Sequence, residues 1–134
     1  MTRIVAPIKY PLTGPSKATL TEAVRLAREK DADLTILHID LYQDSRGVTR
    51  ADLKRAAERA VGRVDRARYV VRRGFLVEET ILEEIAAEGA DIVVIGSKQA
   101  SSWRKMVRRF LDDPDIETFL QEKLDCQVVT VRAD

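Results

Sequence analysis

The stretch Ile92-Val93-Val94-Ile95-Gly96 decides how the rest of the chain reads. Four β-branched residues follow one another with no polar alternation. That pattern suits a strand covered on both faces, as in a parallel sheet buried between helices. Working outward, three more runs share it: IVAPI (Ile4 to Ile8), LTILHI (Leu34 to Ile39) and VVTV (Val128 to Val131). A weaker run, RYVV (Arg68 to Val71), sits among arginines and reads as an edge strand.

Helical patterns separate these runs. Leu20, Val24 and Ala27 share one helix face after a Gly14-Pro15-Ser16 start. Thr49 and Asp52 have capping-box spacing, with Leu53, Ala57, Ala60 and Val64 as the stripe behind them. Val77, Ile81 and Ile85 form a third stripe, with Glu78, Glu79, Glu83 and Glu84 mostly outside and Gly89 as the stop. A last pattern carries Trp103, Val107, Phe110 and Leu111, then restarts at Asp113-Pro114 with Ile116, Phe119 and Leu120. The order β-α-β-α-β-α-β-α-β predicts an α/β three-layer sandwich around a five-stranded parallel sheet of order 3-2-1-4-5. With no linker, repeat or low-complexity segment, residues 1–134 read as one domain.

Composition narrows the function. Lys and Arg number 23 and Asp and Glu 22, a net charge of +1, which argues against a surface built to hold nucleic acid. The basic run WRKMVRRF points the same way, since Asp112, Asp113, Asp115 and Glu117 follow it directly. No apolar run approaches the roughly 18 residues of a membrane span, so no membrane partner is expected. The start MTRIVAPIKY lacks signal-peptide features, so a cytoplasmic location is expected. A single cysteine, Cys126, and a single histidine, His38, leave no set of Cys and His for structural zinc. Cys126 reads as a small hydrophobe, and His38 as a buried, hydrogen-bonded side chain.

In an open α/β sheet, ligands bind beyond the carboxyl ends of the strands where the order reverses. With order 3-2-1-4-5 that crevice is expected between the first and fourth strands. Lys9 and Tyr10 then lie on one side and GSKQASS, residues 96–102, on the other, with Asp40 as the nearest carboxylate. A loop opening a helix offers N–H groups and a positive dipole end, which suits an anion. The candidate ligand-binding residues for an anion or nucleotide are Lys9, Asp40, Gly96, Ser97, Lys98, Ser101, Ser102 and Arg104; no catalytic or metal-binding residue is assigned. The bland reading is an ordinary serine-rich turn flanked by solvated cations. Neither a Walker-type loop nor a dinucleotide fingerprint is present.

Together, RIVAPIKY, LTILHID, ADIVVIGSKQ and LDCQVVTVR resemble the first, second, fourth and last strands of the universal stress protein family. The resemblance spans essentially the whole chain and implies a cytoplasmic stress-response protein. Nucleotide-binding members carry an aspartate just after the first strand; Lys9 stands there. Those members also carry Gly, two residues, Gly, nine residues, then Gly and Ser or Thr. Gly96 matches the first position, but Gln99 takes the second. Counting nine onward reaches Arg109 and Phe110; counting back from Cys126 gives Pro114 and Asp115, an insertion of about five residues. The resemblance also implies pairing of homodimers through the last strand, Val128 to Arg132 here, an apolar edge with little to block it.

Three readings follow. The first is a non-catalytic homodimeric stress-response protein that interacts with other proteins, lacks family-type ATP binding and needs no cofactor. Its rival is a nucleotide- or anion-binding protein responsive to ATP or AMP through a basic, serine-lined crevice. The third, an enzyme of other chemistry, ranks last, because no set of acid, base and nucleophile stands out.

Overall fold

The computed structural model describes residues 1–44, 46–97 and 126–132. Those residues form five strands and three helices. In chain order they are β1 (Arg3–Pro7), α1 (Gly14–Lys30), β2 (Asp33–Leu41), α2 (Arg50–Val61), β3 (Ala67–Gly74), α3 (Val77–Glu88), β4 (Ile92–Gly96) and β5 (Gln127–Val131). All pair in parallel, in the order β3-β2-β1-β4-β5. The expected architecture and strand order are therefore observed. The fourth helical pattern lies outside the described residues.

Side-chain alternation along β2 divides the interior into two layers. Leu34 and Ile36 face α1 and α2, where they pack with Leu20, Ala23, Leu53 and Tyr69. Leu37 and Ile39 face the other way, onto Ile81, Ile85, Val93 and Cys126. Because the central strands are covered on both faces, β1, β2 and β4 need apolar residues at successive positions, and that is why their sequences lack alternation. Cys126 behaves as the small hydrophobe its surroundings imply; it is 1% exposed.

Local chemistry sets the helix ends. The Thr13 side chain accepts from Ser16 N–H at the start of α1. A full capping box starts α2: Thr49 Oγ1 accepts from Asp52 N–H at 3.1 Å, and Asp52 Oδ2 accepts from Thr49 N–H at 3.0 Å. Gly89, at φ 61°, closes α3 in the left-handed region.

Three sequence expectations need correction. The second and third strands run further than their apolar cores, to Leu41 and Gly74, because a continuous ladder from Leu34↔Ala67 to Leu41↔Gly74 holds the polar ends in register. Ala60 is exposed, since the buried face of α2 is the short pair Leu53 and Ala57. Glu84 is buried rather than outside, because α3 lies over β3 and meets its arginines. Glu84 Oε2 accepts from Arg72 Nη1 at 2.6 Å, Glu88 accepts from Thr35 Oγ1 at 2.7 Å, and Glu88 also pairs with Arg68.

Candidate functional site

The carboxyl ends of β1 and β2 diverge around a cavity of about 370 Å³. That lies at the small end of the range for ligand sites. Its apolar wall comes from Ile8, Leu37, Ile39 and Leu41 with Val77 and Ile81 of α3; its polar groups are Lys9, Tyr10, His38, Asp40, Asp44 and Arg46. Strand period explains the mixture. His38 and Asp40 continue the even-numbered face of β2 beyond Ile36, while Ile39 and Leu41 belong to the opposite face.

His38 is 7% exposed, and its Nδ1 lies 3.2 Å from the Ile8 carbonyl oxygen. A carbonyl only accepts, so Nδ1 carries the hydrogen, and the neutral ring keeps Nε2 as an acceptor. The Tyr10 ring lies against the imidazole, centroids 6.0 Å apart. Burial pushes the His38 pKa below its ordinary value, with Arg46 adding to the depression; the Ile8 carbonyl and Asp40 work in the opposite sense. The imidazole is therefore neutral at pH 7.

Asp40 is 3% exposed. Its nearest cation is its cross-strand neighbour Arg73, whose Nε lies 4.0 Å from Oδ2, outside hydrogen-bonding range. No described residue hydrogen-bonds to this carboxylate. Lys9 and Arg46, by contrast, are exposed at the rim. The cavity thus has acceptors inside and, at its mouth, the cations Lys9 and Arg46 together with the exposed Asp44.

Of the candidate residues, the structure brings Lys9 and Asp40 together in this cavity. Gly96 and Ser97 end and follow β4 and do not line it. Gly96 instead packs closely on α1, where a Cβ would lie 3.2 Å from Thr19 Oγ1. Lys98, Ser101, Ser102 and Arg104 lie outside the described residues. Among the described residues a cavity opens between β1 and β2; beyond Ser97, the β4 side of the crevice expected between β1 and β4 lies outside the described residues. His38 is buried and hydrogen-bonded as expected, and is in addition part of the wall. The sequence reading missed Asp44, Arg46, Val77 and Ile81. Only the position of Arg46 and Asp44, just past a strand end, hinted at them. No group of three potential metal ligands occurs among the described residues, and no helix there is long and apolar enough to cross a membrane.

A five-stranded parallel sheet of this order, with a crevice past the strand ends, defines an α/β sandwich of the kind that places ligands beside its central strand. A family model described as the universal stress protein family matches residues 1–132, so the chain belongs to that family. Solved structures share its fold. One titled as a universal stress protein in complex with cAMP is 16% identical at a TM-score of 0.62, covering 99% of this chain and 98% of that one. The universal stress protein UspA from Lactobacillus plantarum is 19% identical at 0.60, covering 98% and 97%. A family member from Burkholderia pseudomallei is 16% identical at 0.58, covering 95% and 94%. No curated protein matches the sequence.

Proposed function

We propose that the chain is a non-catalytic universal stress protein, acting as a homodimer, whose β1–β2 cavity holds a small nucleotide without the family's usual ATP motif. The observation that carries this reading is the cavity itself, apolar-walled, with buried polar groups and a rim where two cations, Lys9 and Arg46, outnumber the one acid, Asp44. Two rim cations suit a phosphate, and the Tyr10 ring and aliphatic walls suit a planar base. The cAMP complex solved for a protein of the same fold supports the choice of ligand class. Lys9, in place of the family's aspartate, and Gln99, in place of its second glycine, argue against triphosphate binding in the family manner.

In this reading the two copies pair through β5. Gln127 N–H donates to the Asp91 carbonyl at 2.9 Å, so residues 127, 129 and 131 bond to β4 while 128 and 130 face the open edge. An apolar edge of this kind is ready to pair with a second copy.

Thermal melting with millimolar mononucleotides tests the ligand reading. A rise in Tm that disappears in a Lys9→Glu, Arg46→Glu double variant is expected. An unchanged Tm with every nucleotide would overturn it.

A further inference from the structure

The nucleotide reading leaves the base unnamed, and the buried polar groups of the cavity bear on it. The Asp40 carboxylate is the most conspicuous. A buried carboxylate normally accepts several hydrogen bonds, and one left without them costs free energy. Asp40 lines the cavity, is 3% exposed, and receives no hydrogen bond from the described residues; its closest charge is Arg73 at 4.0 Å. Beside it on the same strand face, His38 has its Nδ1 hydrogen on the Ile8 carbonyl and retains Nε2 as a second acceptor. Both groups therefore meet a ligand as acceptors.

The candidate ligands differ in what they bring. A lone phosphate satisfies Lys9 and Arg46 but is repelled by Asp40. A free organic cation satisfies Asp40 but must pass Lys9 and Arg46. A ligand with a neutral N–H edge and an anionic tail satisfies both ends. Among nucleotide bases, one carboxylate discriminates sharply. Guanine presents two adjacent donors, N1–H and the N2 amino group, which one carboxylate accepts in parallel. Adenine presents its N6 amino group beside N1, whose lone pair would face the carboxylate. Cytosine likewise sets a donor beside an acceptor, and uracil has a single N–H between two carbonyls.

We infer that Asp40 reads the base, and that the nucleotide this cavity selects carries guanine. The inference rests on the nucleotide reading above. Asp40 supplies both acceptor oxygens, the Tyr10 ring, which lies against His38 on the same face, covers the base, and Lys9 and Arg46 meet the phosphate.

Calorimetric titration of the full chain at pH 7.5 with GMP, AMP and xanthosine monophosphate tests this. GMP is expected to bind at least about tenfold more tightly than AMP, the discrimination of one bidentate pair. Asp40→Asn presents one donor and one acceptor, which fits the N1–H and C2 carbonyl of xanthine. In that variant the preference is expected to pass from GMP to xanthosine monophosphate, an exchange that a merely structural role would not produce. If Asp40→Asn does not fold, the GMP-to-AMP ratio of the unaltered chain decides alone. AMP binding as tightly as GMP overturns the guanine assignment and leaves a nucleotide site standing. No binding of any of the three overturns the nucleotide reading itself and the guanine assignment with it.

Discussion

His38 is the residue at which the fold and the cavity meet. Its ring is neutral because it is buried, with a pKa below the ordinary value of 6.5. The sign of the linkage follows. The unfolded chain takes up a proton near pH 6.5, while the folded chain resists until the lower folded value. His38 therefore contributes stability that is present above about pH 6.5 and is lost as pH falls through the folded pKa. Melts between pH 7.5 and 5 are expected to lose up to about 1.4 kcal/mol per pH unit from this one group. His38→Asn, which cannot titrate, is expected to flatten that slope. Lys9 and Asp40 were legible as residues of the strand ends, where the cavity lies, because each closely follows an apolar run that had to be a strand. Asp44, Arg46, Val77 and Ile81 were not. They reach the cavity from a loop and from a helix on the far face, and only tertiary packing sets those approaches.

Among the elements, α3 shows how little an apolar stripe says about the positions beside it. Val77, Ile81 and Ile85 did mark a buried face, but Glu84 is buried too, because Arg72 of the neighbouring edge strand meets it. Helix periodicity cannot reveal a partner on another element. The start of α3 is also pressed tightly against the end of β3. A Cβ at Gly74 would lie 2.1 Å from Thr80 Oγ1 and 3.2 Å from its Cβ, and that hydroxyl donates to the Leu76 carbonyl at 2.7 Å. Gly74→Ala is expected to cost about 1–3 kcal/mol in a denaturant titration, as overpacking does. The penalty is expected to shrink in a Gly74→Ala, Thr80→Ala background, where the hydroxyl is gone. The α2 cap, by contrast, was readable from Thr49 and Asp52 alone, because a capping box is built from residues within one turn. Thr49→Ala is expected to cost about 1 kcal/mol by the same titration.

For the whole molecule, the two sheet edges are unlike. β3 carries Arg68, Arg72 and Arg73 within six residues, so pairing two copies of it would bring like charges together. β5 carries Val128, Val129 and Val131 and has no such guard. Thr130→Pro removes an N–H from the open side of β5 while sparing the ladder to β4. In native mass spectrometry it is expected to convert a dimer to a monomer, with the melting temperature of the chain little changed if the fold holds alone. The sheet order and both interior layers could be read from apolar runs because burial on two faces leaves no alternative composition. The cavity could be placed only roughly, since strand order names the sheet end but not the side on which a helix leaves room. The crevice itself is best tested by native mass spectrometry of the purified chain with added GMP. Dimers carrying up to one GMP per chain, and losing it when Lys9 and Arg46 become glutamate, are expected. A dimer that takes up neither GMP nor AMP would contradict a nucleotide crevice.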